Sequence, residues 1–410
     1  MHLFHSIDLQ IAMGSTLSFS EGGLMTLVET FSGLPDKRRG PAKRYVLMET
    51  VVMAVCATLC GADNWAEVAD WCRDRQEWLR EQFGWALKGG TPSHDTFGDI
   101  FRVLDGSVFE ERFRQWVAGL VGVVEGVVAF DGKTLRGSGK KGSNELLHRV
   151  TAYAVGSGLC LAQEGTCGKG HELAGLKNLL EVLILKGCIA TTDALGCQTE
   201  VAEKIVDRGG DYVLQVKDNQ KNLAEAIREF FEEGNQAGFG RLNVQRFEEI
   251  EKDHGRIETR RYTWIHDVSW MDKPMRQAWK KLGGVGMIES VREIGNTVHT
   301  EHRYAIGSSG VQTVAMFANA SRNHWGIENG LHWTLDVVFR EDHCRARKGH
   351  SARNFSVLRK FALATLRKDE DSKMGLRRRR VHADRHQDYR ESLIRLAFSA
   401  TASEDIMLSV

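Results

Sequence analysis

Residues 127–138 read VVAFDGKTLRGS, and residues 188–198 read CIATTDALGCQ. In both stretches a short apolar run leads directly into an aspartate, Asp131 in the first and Asp193 in the second. Short apolar runs of this kind favour strands that are buried on both faces of a sheet. A third run, DYVLQV at residues 211–216, has the same character, and stretches of helical periodicity separate the three runs. The pattern predicts an α/β fold in which helices cover both faces of a sheet.

The two aspartates are the first candidate functional residues. A polar side chain that directly follows a buried strand lies at the carboxyl edge of the sheet, where open α/β sheets bind ligands. Asp131 and Asp193 would repel each other there unless a cation lay between them. Carboxylate oxygens favour Mg²⁺ or Mn²⁺ over zinc as that cation. The alternative is that each aspartate simply caps a helix or forms a turn.

A third candidate carboxylate, Glu328, lies in the stretch SRNHWGIENGLHWTLDVVFRED at residues 321–342. Apolar and aromatic side chains recur there at helical spacing, which predicts that Glu328 lies within a buried seam. An unpaired buried carboxylate is costly, so Glu328 is a further candidate ligand for a cation. His324 and His332 lie four residues to either side on the same helical face, which leaves a zinc site open as an alternative, although the motif H-E-x-x-H is absent.

The rest of the chain divides by pattern and composition. Residues 25–118 have helical periodicity and predict a small all-α domain, which an extension at residues 1–24 precedes. Residues 119–370 carry the alternating strand and helix signals, interrupted at about 240–310 by strand patterns that predict a β-rich insertion. Residues 371–410 are basic and predict a C-terminal tail.

Composition excludes several classes of protein. The chain has 410 residues, of which 42% are hydrophobic, so it can bury a substantial core, and its four prolines exclude a proline-rich chain. No apolar run approaches the roughly 20 residues that a membrane helix needs. Eight cysteines without a C-x-x-C pair indicate neither a disulfide framework nor a zinc ribbon. We therefore expect a globular protein of a reducing compartment, the cytoplasm, with no membrane partner.

Positive charge is concentrated near the C-terminus. The net charge of the whole chain is only +1, which alone argues against a polyanion ligand. Between Arg340 and Arg395, however, there are 17 Lys and Arg against 8 Asp and Glu, and the excess includes Arg377 and Arg378 in a run of four arginines. Such clustering is typical of a nucleic-acid contact surface. The alternative is a solvated tail.

Five longer strings resemble one known family: AFDGKTLRGS at 129–138, ATTDALGCQ at 190–198, DYVLQVKDNQ at 211–220, HGRIETRRY at 254–262 and NHWGIENGLHWTLDVVFRED at 323–342. They resemble insertion-sequence transposases of the ISAs type, also called H-repeat-associated proteins, within the large DDE class. The resemblance covers residues 25–370. It implies an RNase H-like catalytic core with a β-rich insertion, preceded by a small helical domain. It also implies that Asp131, Asp193 and Glu328 are the catalytic D, D and E and bind Mg²⁺ or Mn²⁺.

The same resemblance implies an activity and its partners. Such enzymes cut the ends of an insertion sequence and join the freed 3′-hydroxyls to target DNA by metal-dependent phosphoryl transfer. The expected partners are double-stranded DNA, as terminal inverted repeats and as target, and a second copy of the chain, with a location at the nucleoid. A Mg²⁺-dependent nuclease without strand transfer and a catalytically inactive DNA-binding protein remain alternatives.

Basic residues near the acidic triad are the candidate phosphate contacts. His324 stands where the wider group often has an arginine near its final glutamate, so other residues are needed to hold phosphate there. The complete set of candidate DNA contacts is Lys133, Arg136, Arg322, His324, Arg340, Lys348, Arg377 and Arg378.

Overall fold

The computed structural model describes residues 25–121, 124–139, 146–167, 169–253 and 255–398. The predicted extension at residues 1–24 and residues 399–410 of the predicted tail lie outside these ranges. The helices are α1 Met25–Ser32, α2 Leu47–Leu59, α3 Trp65–Asp74, α4 Gln76–Phe83, α5 His94–Val103, α6 Gly106–Val121, α7 Glu172–Val182, α8 Thr199–Asp207, α9 Lys221–Ala237, α10 Lys273–Ala278, α11 Val314–His324, α12 Trp333–Val337, α13 Ser351–Lys368, α14 Leu376–Arg385 and α15 Gln387–Phe398. The strands are β1 Gly126–Thr134, β2 Leu147–Ala154, β3 Leu159–Cys167, β4 Cys188–Thr192, β5 Asp211–Val216, β6 Val244–Asp253, β7 Arg256–Ile265, β8 Leu282–Ile294 and β9 Thr297–Ser308.

The strands form one sheet in the order β3-β2-β1-β4-β5-β9-β8-β7-β6. β4 is parallel to both β1 and β5, and the other neighbouring pairs are antiparallel. The three parallel strands are the three apolar runs of the sequence, as expected for strands that are buried on both faces. α7 and α11 pack against this part of the sheet, α7 on β2 and β3 and α11 on β1 and β4. The α/β fold predicted from the sequence is confirmed.

The strand-rich stretch at about 240–310 forms β6 to β9 and extends the central sheet, because β9 pairs with β5. Trp264 of β7 is fully buried and stacks on Phe317 of α11, with ring centroids 5.0 Å apart. A Cβ at Gly284 of β8 would lie 2.3 Å from the Trp264 ring, so glycine allows the ring to lie close to the strand. This packing fixes α11, the helix that leads to Glu328, against the outer strands.

α13 is the helix around which the two halves of the chain meet. Almost all of its side chains are buried, and it packs against α2, α5, α6 and β3. Its Asn354 amide donates hydrogen bonds to the carbonyls of Phe101 and Leu104 at the end of α5. The N-terminal helices therefore share a core with the sheet through α13. Within the described ranges, no helix combines the length and the apolar composition needed to cross a bilayer.

Much of the segment predicted as a basic tail is folded. Residues 376–398 form α14 and α15, which pack against each other and against α13. The Trp116 indole donates to the carbonyl oxygen of Ala397 at 2.9 Å, and Arg75 pairs with Asp384 at 2.7 Å. Apolar residues of α15, including Leu393 and Ile394, are buried in the same core. Charge alone suggested a tail, but these apolar positions bind the segment to the N-terminal helices.

Candidate functional site

Asp131 and Asp193 lie next to each other on adjacent parallel strands. Phe130 of β1 pairs with Thr192 of β4, so the residues that follow them come at the same level of the sheet. β1 continues to Thr134, and Asp131 therefore lies inside the strand rather than at its end. Asp193 follows β4 directly, and its Oδ1 accepts a hydrogen bond from the Gly196 amide at 3.3 Å. Asp193 therefore caps the short helical turn that follows β4, which is the structural role considered as an alternative in the sequence analysis. It also lies beside Asp131.

The surroundings of Asp131 disfavour its charged form. Its side chain is 18% exposed. Burial raises the pKa of the Asp131 carboxyl to about 7, although a hydrogen bond from the Gly132 amide at 2.8 Å opposes the shift. The nearby carboxylates of Asp193, Glu328 and Glu172 make smaller contributions to the same upward shift. Several negative charges therefore face one another here, as at a cation-binding site.

Within the described ranges, neither Asp131 nor Asp193 has a lysine or arginine as an ion-pair partner. The nearest basic group to Asp131 is His332, whose Nδ1 lies 3.4 Å from Asp131 Oδ2. The pKa of His332 is lowered to about 2, mainly by burial and in addition by the cations of Arg149 and Lys133. His332 is therefore a neutral imidazole, and it does not balance the charge of Asp131.

Three other buried or partly buried carboxylates are neutralised by arginine. Glu341 forms a two-fold ion pair with Arg149, with both N–O distances 2.9 Å. Asp63 pairs with Arg380 at 2.8 Å, and Glu110 pairs with Arg353. In each of these cases an arginine side chain compensates the cost of burying the carboxylate. Asp131, whose side chain is 18% exposed, has no such partner among the described residues, which favours a role as a ligand over a structural role. Asp193 is exposed and needs no such partner.

Glu328 lies on a segment with π-helical geometry, Ile327–His332, between α11 and α12. Ile327 and Leu331 are fully buried, whereas Glu328 is exposed, so the prediction that Glu328 lies within a buried seam is wrong. Trp325 and Trp333 are also exposed, at 42% and 58%. A π-helical turn has an extra residue, which rotates the faces that a regular helix would present, and such turns are frequent at functional sites.

The carboxylate oxygens near Asp131 suit a hard divalent cation by their chemistry. In the part of the chain that the structure describes, no group of three or more His, Cys, Asp or Glu side chains stands at metal-binding spacing. The zinc alternative is not assembled either: His324 Nδ1 contacts Thr191 Oγ1 at 3.1 Å, whereas His332 faces Asp131. Carboxylates that face one another without organic cations fit Mg²⁺ or Mn²⁺ by donor chemistry.

Of the two expected phosphate contacts near β1, Lys133 is already paired with acids, whereas Arg136 is exposed. The Lys133 side chain is only 10% exposed, and its ammonium pairs with Asp336 at 2.5 Å and with Glu341 at 3.4 Å. The prediction of an exposed phosphate contact therefore does not fit Lys133, because acids distant in sequence already bind its charge. Arg136 is 84% exposed and only loosely paired with Asp342, at 3.6 Å.

The candidate contacts around Glu328 are dispersed. Arg322 binds both carboxylate oxygens of Glu251, at 2.8 and 3.0 Å, and lines a groove of about 570 Å³ beside the outer strands. Burial lowers the pKa of His324, which favours a neutral ring. Arg340 and Lys348 are exposed on the loop that follows α12. The structure does not gather these residues into one cluster.

The run of four arginines divides into two pairs. Arg377 and Arg378 are exposed on α14. Arg379 donates to the carbonyls of Leu366 and Asp369 at 2.7 and 2.6 Å, and Arg380 is 3% exposed. Two of the four arginines therefore hold the C-terminal helices in place, and two face solvent.

Glu172, at the start of α7, also lies near the aspartates, although its sequence context did not single it out. Asp131, Gly132, Asp193 and Glu172 line a cavity of about 20 Å³ at the edge of the sheet. His148 Nε2 lies 2.7 Å from Glu172 Oε1. Glutamate is common in the first turn of a helix, so nothing in the sequence distinguishes Glu172 from an ordinary capping residue.

Comparisons with known proteins agree with the motifs. A family model described as "Transposase DDE domain" matches residues 123–365, and one described as "DDE_Tnp_1-associated" matches residues 28–117. The chain is 35% identical over 362 residues to "Putative transposase YncI" of Escherichia coli O157:H7, covering 87% of this chain and 91% of that protein. It is 34% identical over 379 residues to "H repeat-associated putative transposase YhhI" of Escherichia coli K12, covering 90% of this chain and 98% of that protein.

Among solved structures, a piggyBac transposase synaptic complex with hairpin DNA is similar with a TM-score of 0.38 and 11% identity, covering 90% of this chain and 77% of that chain. The family assignment rests on the sequence matches, which extend over the helical N-terminal part as well as the sheet. The chain therefore belongs to the H-repeat-associated family of DDE transposases.

Proposed function

We propose that this protein is a DNA transposase that cuts the ends of an insertion sequence and joins their 3′-hydroxyls to target DNA. The observation that carries the proposal is the pair of neighbouring aspartates, Asp131 and Asp193, which face other acids without a lysine or arginine partner among the described residues. Family membership supports the same chemistry. A protein that only bound DNA would have no need for a largely buried carboxylate without a basic partner, such as that of Asp131.

We infer that the catalytic unit is an RNase H-like core at residues 119–370. The strand order β3-β2-β1-β4-β5 supports this assignment, with β1, β4 and β5 parallel and β2 and β3 antiparallel. The outer strands β6–β9 would then be the β-rich insertion at about 240–310, and residues 25–118 an associated helical domain. DNA as the substrate would place the protein at the nucleoid.

The acids would hold the divalent cations, Mg²⁺ or Mn²⁺, that the reaction needs. Such ions, when bound, activate the attacking oxygen and stabilise the leaving oxygen at phosphorus. Asp131 and Asp193 would be ligands from adjacent strands, and Glu328 would be a ligand from the exposed face of the π-helical segment. His332, neutral and in contact with Asp131, would orient that carboxylate.

Lys133 is better suited to positioning than to binding phosphate. Its ammonium ties β1 to Asp336 of α12, the helix that directly follows the segment carrying Glu328. The contact would keep Glu328 at a fixed distance from Asp131, two residues from Lys133 along β1. The remaining exposed cations, Arg136, Arg340, Lys348, Arg377 and Arg378, are the proposed contacts to the DNA backbone.

Replacing both Arg377 and Arg378 with Ala should weaken DNA binding to a similar extent for all sequences. Each lost phosphate contact reduces the slope of log K against log salt by about one unit. The salt dependence of binding, measured by fluorescence anisotropy at several salt concentrations, tests this expectation. Arg395→Ala, which removes an exposed arginine from α15, is the control. An unchanged slope in the double variant would remove α14 from the DNA surface.

The products of the reaction distinguish the proposed function from its two rivals. Purified protein is incubated with Mg²⁺, labelled DNA that carries the element ends, and a supercoiled target. Joined products are expected for a transposase. Cut products without joining would indicate a nuclease, and shifted but intact DNA would indicate a DNA-binding protein.

Because joining needs two paired ends, we also expect two copies of the chain on the joined complex, which light scattering would detect.

A further inference from the structure

A groove of about 570 Å³ lies on one face of the outer strands. Its floor consists of alternate residues of β7, β8 and β9, which are partners in the ladder, and its wall consists of α11 and the start of the π-helical segment. Among the described residues, five arginines and two glutamates line it. The arginines are Arg256, Arg260, Arg292, Arg303 and Arg322. This excess of cations favours an anionic polymer as the ligand.

Three of these arginines share one glutamate. Glu258, which is 7% exposed, pairs with Arg260 at 2.9 Å. Arg260 is also bound by Glu251 of β6, at 2.8 Å. The contacts of Glu258 to Arg292 and Arg256 are longer, at 3.5 and 3.8 Å, and these two side chains are 49% and 46% exposed. Arg292 and Arg256 can therefore bind phosphate without losing a close ion pair.

An exposed aromatic ring lies between the groove and the acid site. Trp325 is 42% exposed and lines the groove together with Asn329, which directly follows Glu328 in the chain. Trp325 also lines a smaller cavity of about 40 Å³, which reaches Thr192, the residue before Asp193. The face of an indole ring is a surface on which an unpaired base can stack.

The groove opens on the same face of the sheet as the Asp131 side chain. Partners in a ladder carry their side chains on one face, and so do residues that lie two apart along a strand. Such steps lead without interruption from Arg303 in the groove to Asp131. The intermediate residues are Ala305 of β9, Gln215 and Val213 of β5, Thr191 of β4 and Ala129 of β1.

The size of the groove suits one strand of DNA rather than a duplex. Its volume lies within the range of about 300–1,000 Å³ that is usual for sites enclosing a single small ligand, which a nucleotide resembles in size. Proteins that bind single strands combine a positively charged groove for the backbone with aromatic side chains for the bases. Arg256, Arg292 and Trp325 provide both features.

We propose that this groove binds an unpaired strand of the DNA beside the cleavage site, with Trp325 stacked on a base and with Arg256 and Arg292 bound to phosphates. The inference rests on the proposed function, because it assigns part of the DNA substrate to the face that carries Asp131. It extends the proposed DNA surface to the outer strands. The competing explanation is that the arginines only hold β6, β7 and β8 together through their glutamate partners.

Trp325→Ala tests the stacking contact. Binding of a fluorescein-labelled oligo-dT strand and of a labelled duplex is measured by anisotropy in EDTA, and folding is checked by thermal melting. We expect the affinity for the single strand to fall at least about fivefold, while the affinity for the duplex changes less. Trp333→Ala is the matched control, because Trp333 is even more exposed, at 58%, but does not line the groove. It should bind the single strand like the wild type.

Arg292→Ala tests the phosphate contact and does not depend on how well Trp325→Ala folds. Loss of one phosphate contact should reduce the slope of log K against log salt by about 0.7 for the single strand. Arg246→Ala is the control, because Arg246 of β6 is exposed and lies opposite Thr263, whose side chain is on the other face from the groove. Its slope should equal that of the wild type.

Wild-type binding of the single strand by both Trp325→Ala and Arg292→Ala would overturn the inference. An equal loss of affinity for the duplex would also overturn it, because the contact would then not be specific to one strand. The proposed function is tested separately, by the cut and joined products of the wild type. If the groove variants lose single-strand binding but the wild type forms no products, the inference stands and the proposed function is wrong.

Discussion

Asp131→Asn should abolish DNA cleavage while leaving DNA binding intact. The substitution keeps the size of the side chain and removes the anion that would bind the cation. Loss of a metal ligand removes several kcal/mol of transition-state stabilisation. Because each 1.36 kcal/mol is a factor of ten in rate, the expected loss is about 1,000-fold or more. Cleavage of labelled end DNA under single-turnover conditions measures it, with binding followed in the same samples.

The same variant should be more stable than the wild type in the absence of metal at pH 8. The folded-state pKa of Asp131, about 7, lies above the ordinary aspartate value of 3.8, so the carboxyl destabilises the fold increasingly as the pH rises between these values. Asparagine removes that cost, and the advantage should disappear near pH 4. Glu229→Gln, which removes an exposed acid of α9, is the control. Equal stability of Asp131→Asn and wild type at pH 8 would contradict the account of this carboxyl.

Of the substitutions proposed for this protein, Glu341→Gln should reduce the free energy of unfolding the most. Glu341 and Arg149 are each about 1% exposed, and the pair also involves Lys133. Glutamine cannot balance the buried guanidinium, and breaking a buried ion pair by removing one partner costs about 3–5 kcal/mol. The free energy of unfolding, obtained from denaturant titration, measures the loss.

Glu248→Gln is the matched control for that experiment. It breaks the exposed pair that Glu248 forms with Arg261 at 2.6 Å, where water screens both charges. We expect its denaturation midpoint to stay close to that of the wild type. If the two variants lost the same stability, burial would not explain the importance of the Arg149 pair.

The sequence was sufficient for the framework of the sheet. The parallel strands could be recognised because they are buried on both faces and are therefore apolar without interruption. For the same reason Asp131 and Asp193 stood out as polar residues beside buried strands. The strand-rich stretch was recognisable too, although its pairing with β5 depends on contacts far apart in sequence.

The sequence was insufficient wherever the meaning of a charge depends on a distant partner. Lys133 near Asp131 suggested a phosphate contact, but Asp336 and Glu341, some 200 positions away, bind it. Arg380 looked like part of a solvated run, but it is buried against Asp63. A local pattern cannot reveal such pairs, because they form only when the chain folds.

The exposure of Glu328 could not be predicted from the sequence for a different reason. Regular helical spacing predicts that its flanking aromatic residues are buried, but the π-helical turn changes the register, so that Trp325, Glu328 and Trp333 are exposed. The hydrogen-bonding shift that causes this leaves no clear mark on the apolar pattern. Glu328 is therefore the member of the proposed triad whose position depends most on the three-dimensional structure.

Cleavage by Glu328→Gln is therefore the decisive experiment for whether Asp131, Asp193 and Glu328 act as one site. Purified wild type and variant are given labelled end DNA and Mg²⁺, and cutting, joining and binding are measured together. We expect Glu328→Gln to fold and to bind DNA like the wild type but neither to cut nor to join it. Cutting at a near-normal rate would contradict the claim that Asp131, Asp193 and Glu328 act as one site.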